Sequence, residues 1–149
     1  MSDLTETGLN VSDERQTGMT RCERLLREAG LRPTRQRLLL GELLFAKGDR
    51  HVSAEALFEE ANAELSLATV YNTLRQFTEV GLLRRIAADS SKTFFDTNTS
   101  VHPHFYLEGE NTVIDTSEAL VEQMPDIPEG YEIVRMDVIV HIRKKAPVA

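Results

Sequence analysis

Apolar residues recur at helical spacing in four segments of the first half of the chain. The predicted helices cover residues 21–29, 34–45, 53–61 and 66–80. Thr34 can cap the free N–H groups at the start of the second helix, and Gly30 and Gly81 follow the first and fourth helices as stop signals. Two short strand candidates follow, at residues 82–87 and 92–96, so this half of the chain is predicted to be helices followed by a β-hairpin.

The fourth predicted helix has two different faces. Its apolar stripe consists of Leu67, Val70, Leu74 and Phe77. The opposite face carries side chains that can hydrogen-bond to bases and phosphates: Thr69, Asn72, Arg75 and Gln76, with Tyr71 on the flank. A helical core followed by a hairpin is the winged-helix arrangement, in which the helix before the hairpin reads DNA. The pattern by itself leaves open a solvated polar face in an unrelated helical bundle.

A second, smaller unit is predicted after the turn-forming residues 97–101, which are a candidate hinge. It contains strand candidates at 104–107 and 112–115, a short helix at 117–124 and a long strand at 131–143. Because about 50 residues with few large apolar groups make a thin core, we expect this unit to pair with a copy of itself. The prediction is an α+β fold: a disordered tail (1–20), a winged-helix domain (21–96), the hinge, and a small α/β dimerisation domain (102–145).

The charge distribution qualifies the DNA prediction. The formal net charge of −7 weighs against nucleic acid, but residues 21–50 carry eight basic and only four acidic side chains. The candidate DNA contacts are Arg32, Arg35, Arg37, Ser66, Thr69, Tyr71, Asn72 and Arg75. The N-terminus has no secretory signal pattern, and no apolar run reaches the roughly 18 residues of a membrane span, so we expect a cytoplasmic protein.

Histidines and carboxylates supply the candidate metal chemistry. His102 and His104 are two residues apart near a strand start, so both imidazoles point to one face. With Asp96 and Asp115 nearby, they suit a divalent ion such as manganese, iron or zinc, and imidazole also ligates haem iron. An H-x-H pair is also common among plain surface residues. On spacing alone, His51 and His141 are predicted to be structural.

The remaining chemistry of the chain is sparse. The single cysteine, Cys22, excludes an internal disulfide and a multi-cysteine zinc site, and it is predicted to be a partly buried helix residue. No hydrolase signature or phosphate-binding glycine loop is present, so we expect a binding protein and no enzyme. A metal-dependent enzyme built on the histidine cluster is the alternative from another class.

Three segments together resemble the ferric uptake regulator superfamily: residues 29–38 (AGLRPTRQRL), 51–55 (HVSAE) and 66–74 (SLATVYNTL). The resemblance covers about residues 21–145 and implies a dimeric DNA-binding transcription factor. It also implies a regulatory metal site at His51, Asp96, His102, His104 and Asp115. The superfamily's structural zinc site uses two Cys-x-x-Cys pairs; the first pair falls on Leu107 and Glu110, so this site is absent. Val101 and Pro103 stand where ligands of a further site would be.

The second half resembles one branch in particular, the iron response regulators of alphaproteobacteria. The similar segments are residues 92–98 (KTFFDTN), 105–111 (FYLEGEN), 124–125 (MP) and 128–133 (PEGYEI). This branch implies a repressor of iron and haem homeostasis genes that binds promoters under low iron and is released by haem on His102 and His104. The chain reads Val101-His102-Pro103-His104 where branch members often have three consecutive histidines, and Cys22-Glu23 is not the Cys-Pro haem motif. The alternative is a regulator that responds directly to a divalent metal or to peroxide, without haem.

Overall fold

The computed structural model describes residues 19–89, 91–117 and 122–147. Within these ranges the fold is α+β, as predicted, with four helices and two three-stranded sheets. The helices are α1 (Arg21–Glu28), α2 (Arg35–Phe45), α3 (Ala54–Glu60) and α4 (Leu67–Glu79). The strands are β1 (His51–Val52), β2 (Arg84–Ala87), β3 (Thr93–Asp96), β4 (His104–Leu107), β5 (Thr112–Asp115) and β6 (Ile139–Ile142).

A hydroxyl side chain begins each of these helices. Thr20, Thr34, Ser53 and Ser66 precede the four helices, and each side-chain oxygen accepts a hydrogen bond from the backbone N–H three residues later. These bonds satisfy N–H groups that have no partner within the helix. Thr20 lies in the segment predicted as a tail, whose residues 1–18 are outside the described residues.

The four helices pack around one apolar core. Its completely buried side chains are Leu26, Leu40, Leu44, Leu57, Val70, Leu74 and Phe77. The predicted inner face of α4 is therefore correct for Val70, Leu74 and Phe77. Leu67, at 37% exposed, is an exception because it occupies the first position of the helix, at the end of the buried stripe.

The first sheet has the order β1-β3-β2, with both pairs antiparallel. The predicted strand at 82–87 begins at Arg84 because the N–H groups of Leu82 and Leu83 both donate to the Phe77 carbonyl and close the end of α4. The two-residue strand β1 was not predicted. It is held by pairing with β3, where His51 lies opposite Asp96.

The second sheet has the order β5-β4-β6, with β4 antiparallel to β5 and parallel to β6. The strand predicted at 131–143 is wrong over most of its length, because only residues 139–142 pair with β4. Arg135 and Asp137, which precede β6, instead contact the first sheet. The helix predicted at 117–124 falls largely on residues 118–121, which lie outside the described residues, and residues 122–124 are not helical.

The two sheets pack against each other through a second apolar cluster. Ile86 and Phe94 of the first sheet, with Ala88 just after β2, are buried with Tyr106 and Val113 of the second, and Ile139 packs against them. With the sheets packed in this way, β1 and the end of β3 lie next to the start of β4 and the end of β5. Across the described ranges, no helix is long and apolar enough to cross a membrane.

Candidate metal centre and nucleic-acid interface

The two sheets bring five side chains with metal-binding chemistry together. His51 lies opposite Asp96 in the first sheet, and His104 lies opposite Asp115 in the second. His102 precedes β4 by two residues, so it projects to the same side as His104. One ligand atom from each of the five residues lies within 4.8 Å of every other.

The three imidazoles converge on the same two carboxylate oxygens. Nε2 of His51, His102 and His104 each lies 3.0 Å from Oδ2 of Asp96. The same three nitrogens lie 2.8, 2.9 and 3.2 Å from Oδ1 of Asp115. Nε2 of His51 is buried and is not aligned for a hydrogen bond to either oxygen.

The hydrogen bond made by Nδ1 of His102 determines that the lone pair of the neutral ring is on Nε2, which faces the cluster. Nδ1 of His102 lies 2.7 Å from the backbone carbonyl of Ser100, which can only accept, so Nδ1 carries the proton. In the neutral ring Nε2 is then an unprotonated acceptor that faces another acceptor, Oδ1 of Asp115. Metal-binding histidines have this arrangement, in which the second ring nitrogen donates to a carbonyl.

The protonation behaviour of the cluster reflects a crowded, buried site. Burial alone would raise the pKa of Asp96, but His51, His104 and the Asn98 backbone N–H lower it to about 2. Burial would lower the pKa of His51, and the two carboxylates raise it overall. Burial lowers the pKa of His104, and the neighbouring imidazoles of His102 and His51 lower it further.

These observations fit a divalent cation. Two carboxylates and three imidazoles supply up to five nitrogen and oxygen ligands, a set that suits manganese, iron or zinc. A cation at their centre would bind both Nε2 of His102 and Oδ1 of Asp115, two acceptors that otherwise face each other. It would also give the buried Nε2 of His51 a partner. The same closed arrangement does not fit haem, because Nε2 of His104 faces Asp96 and only 4% of its side chain is exposed.

Sequence spacing found four members of this cluster, and the family resemblance supplied the fifth, His51. His141, the remaining histidine, lies outside the cluster, next to Glu108 and in edge-to-face contact with the ring of Tyr106. The supporting contacts from Ser100 and from Asn98, whose N–H donates to Asp96, were not predicted. No sequence signal marks them, because each depends on a local loop conformation.

The candidate DNA contacts on α4 lie on one accessible side of the protein. Tyr71, Asn72, Arg75 and the capping Ser66 are exposed, and Thr69 is half-buried. An open groove of about 490 Å³ separates this face from strands β2 and β3; among its lining residues are Tyr71, Asn72, Arg75, Arg85, Thr93 and Phe95. The polar face therefore adjoins the hairpin, as in a winged helix.

Tyr71 and Arg37, two of the predicted contacts, make hydrogen bonds to other elements of the chain. The Tyr71 hydroxyl donates to Glu55 of α3, a contact that the sequence did not predict. The Arg37 guanidinium donates to Gln76 and to the Arg32 carbonyl, which joins the start of α2 to α4. Arg37 is thus built into the fold.

The two other arginines of that group remain on the surface. Arg32 is exposed, and Arg35 forms a long ion pair with Glu64, 3.7 Å between Nη2 and Oε2, with 84% of the arginine side chain exposed. On α4, Arg75 pairs with Glu79 one turn later at 3.2 Å. Exposed pairs of this kind contribute little to stability, so Arg35 and Arg75 can exchange them for phosphates.

The sequence profile of the ferric uptake regulator family matches residues 28–141. The chain belongs to this family. The ferric uptake regulation protein of Pseudomonas aeruginosa is 33% identical over 127 residues, which is 80% of this chain and 95% of that protein. The protein of the same name from Shigella flexneri is 35% identical over 108 residues, covering 70% and 73% of the two chains.

Solved structures of ferric uptake regulators share the fold. The Pseudomonas aeruginosa regulator with manganese aligns with a TM-score of 0.62 and 29% identity, covering 85% of this chain and all of that one. The Francisella tularensis regulator with iron aligns with the same TM-score and 20% identity, covering 78% and 93%. The two-part architecture of a winged-helix domain and an α/β dimerisation domain is therefore that of the family.

Proposed function

We propose that this ferric uptake regulator family member is a transcriptional regulator whose DNA binding depends on a divalent ion held by His51, Asp96, His102, His104 and Asp115. The observation that carries the proposal is the convergence of three imidazole nitrogens on the same two carboxylate oxygens, between the two sheets. His51 and Asp96 belong to the winged-helix part, and His102, His104 and Asp115 to the second part. A bound ion would therefore tie the two parts together at a fixed angle.

We propose α4 as the recognition helix. Its exposed Tyr71, Asn72 and Arg75 would reach bases and phosphates in the major groove, with Ser66 and Thr69 at the start of the helix near the backbone. Arg32 and Arg35 would contact phosphates on the flank. Since Arg37 donates to Gln76, its proposed role is to hold α2 against the recognition helix.

The second part would form the homodimer that a two-fold operator requires. Large apolar side chains there are exposed in the single chain, including Ile114, Val140 and Ile142 at 43%, 40% and 37%. Contact with a second copy would bury them. We propose that the protein acts in the cytoplasm as a DNA-binding regulator without enzymatic activity. The proposal covers the dimer and does not extend to higher oligomers on DNA.

Selection of random-sequence duplexes tests the DNA proposal. Protein loaded with Mn²⁺ should enrich one two-fold symmetric sequence, and EDTA should abolish the binding. Tyr71→Ala or Arg75→Ala should then weaken binding to that sequence by about 1–3 kcal/mol each. Lys144→Ala removes a cation from the second part and should have no effect. Failure to enrich any sequence, or equal binding in EDTA, would refute metal-dependent recognition.

A haem response through His102 and His104 is the second candidate, favoured by the similarity of residues 92–98 and 105–111 to the iron response regulators. The closed cluster does not fit haem, so the divalent ion is the primary ligand in our proposal. An absorbance titration with haem separates the two. If haem releases DNA from the wild-type protein and not from the His102→Ala/His104→Ala variant, the haem-responsive alternative is correct; metal dependence without a haem effect supports the direct metal response.

A further inference from the structure

A buried arginine lies where the two parts of the chain meet. Arg84 of β2 is only 7% exposed, and its guanidinium reaches two segments outside its own sheet. It donates to the Ser100 carbonyl at 3.1 Å, to the Met136 carbonyl at 3.3 Å and to the Asp137 carboxylate at 2.5 Å. A buried charge is costly unless it is paired, so this set of acceptors constrains where the segment before β6 can lie.

The carboxylate partner is itself held in place. Asp137 uses Oδ1 for Arg84 and accepts a bond from Nε of Arg135 on Oδ2, at 2.7 Å. Arg135 also donates to the backbone carbonyl of Arg85, at 3.1 Å. Strand β2 is therefore joined to residues 135–137 by a side-chain pair and by a second contact to its backbone.

The arginine is aligned with the candidate metal centre. Across the first sheet, His51, Asp96 and Arg84 lie opposite one another in one cross-strand row. Across the second sheet, the row is Asp115, His104 and Ile139, two residues after Asp137. Where the two rows face each other, the metal-binding side chains lie near one end. The Arg84–Asp137 pair lies near the other end, close to Ile139.

Contacts between protein side chains also join the two sheets beside these rows. Besides the ion pair, the buried side chains of Ile86 and Phe94 pack with Tyr106. The angle between the two parts is thus restricted by groups that do not ligate a metal. The five donor atoms depend on this angle, because His51 and Asp96 come from one part and the other three from the second.

We propose that the Arg84–Asp137 pair is a metal-independent clasp that holds the two parts closed and so arranges the five donor atoms before a metal binds. Arg84 is then a positioning residue: it donates to Asp137 and to the Met136 and Ser100 carbonyls, and it acts through the placement of these segments. The Ser100 carbonyl also lies against Nδ1 of His102, so Arg84 supports that candidate ligand as well. The consequence for metal affinity rests on the proposed function. The closure itself does not.

Hydrogen exchange of the full chain in EDTA tests the closure. The amides of β2 and of residues 138–142 should exchange faster in Arg84→Gln and Asp137→Asn than in the wild type, while those of α1 and α2 stay unchanged. Arg85→Gln is the matched control, since it removes the neighbouring, exposed arginine side chain of the same strand. Unchanged exchange in both variants would refute the clasp.

Mn²⁺ affinity, measured by chelator competition, tests the consequence. Arg84→Gln and Asp137→Asn should each weaken Mn²⁺ binding by about tenfold, at the lower end of the effect of losing groups that support metal ligands. The double variant should lose no more Mn²⁺ affinity than the single variant with the larger loss, because either change breaks the same pair. Additive losses, or an equal loss in Arg85→Gln, would overturn the inference.

The outcomes keep the two proposals apart. If the wild type binds no Mn²⁺, the proposed metal site fails, and hydrogen exchange still decides whether the clasp exists. If Mn²⁺ binds equally to wild type and both variants, the clasp fails and the metal site stands. Should Arg84→Gln not fold, Asp137→Asn carries the test, since Asp137 is partly exposed and keeps its size.

Discussion

The contact between Gly41 and Cys22 shows how tightly the helical core is packed. Gly41 is buried inside α2, and a Cβ added there would collide with the Sγ atom of Cys22 on α1. Cys22 is 5% exposed, so its sulfur has little room to move. Burial and the nearby Glu42 and Glu23 raise the pKa of its thiol to about 11, which keeps it protonated and apolar. Cys22 was predicted to be a partly buried helix residue; it lies on α1, as predicted, and is more fully buried than expected.

Gly41→Ala should therefore destabilise the protein. Alanine favours a helix by up to about 1 kcal/mol over glycine, but overpacking a filled core costs about 1–3 kcal/mol. We expect a lower free energy of unfolding by about 1 kcal/mol, measured by urea denaturation. In a Cys22→Ala background the same change should become stabilising, because the sulfur is gone. Equal effects of Gly41→Ala in both backgrounds would contradict this account.

At the scale of elements, the helices were predictable because their signals are local. The hydroxyls at Thr34, Ser53 and Ser66 and the apolar stripes are read within a few residues. Strand β1 is different, since two residues carry no periodicity and are held by a partner about 44 positions away. The place of His51 in the cluster depends on that same pairing, which explains why spacing alone predicted a structural role.

The strand predicted at 131–143 illustrates the opposite failure. Alternating apolar residues indicate that a segment can form a strand, but pairing also needs an available edge. Within the predicted range, pairing with β4 begins at Ile139, opposite His104. Among the preceding residues, Asp137 accepts from the Arg84 side chain and the Arg135 side chain donates to the Arg85 carbonyl, and no periodicity reports such contacts.

Two arginines on α2 should separate folding from DNA contact. Arg37→Ala removes the bonds to Gln76 and to the Arg32 carbonyl, and should lower the free energy of unfolding by about 1 kcal/mol. Arg35→Ala should leave stability within about 0.5 kcal/mol, because its ion pair with Glu64 is exposed. Urea denaturation measures both.

For DNA binding we expect the opposite ranking, with a larger effect of Arg35→Ala than of Arg37→Ala. Arg35→Ala should reduce the dependence of log affinity on log salt by about one unit, the signature of one lost phosphate contact. The contrary outcome is an Arg37→Ala variant that is as stable as the wild type but has the same reduced salt dependence. It would show that Arg37 binds phosphate, as the sequence predicts, and exchanges its contact with Gln76 for one with DNA.

At the scale of the whole molecule, the candidate metal centre differs from a site within one domain. His51 is contributed by a strand of the first sheet, whereas His102 and His104 lie at the start of the second. An ion bound by both groups would therefore oppose separation of the two parts as well as unfolding of either. Metal binding and global stability should be coupled, and the coupling should depend on His51.

Thermal unfolding with and without Mn²⁺ measures this coupling. A ligand at 100 times its Kd stabilises the native state by about 2.7 kcal/mol, which corresponds to a rise in Tm of about 5–10 °C for a chain of this size. We expect that rise for the wild type, and most of it should be lost in His51→Ala.

His141→Ala is the matched control, because it removes the histidine outside the cluster and should keep the full Mn²⁺-dependent shift relative to its own metal-free Tm. Protein concentration is held constant, since a dimer's Tm depends on it. If His51→Ala is stabilised by Mn²⁺ as strongly as the wild type, His51 is not a ligand of the ion and the coupling does not depend on it.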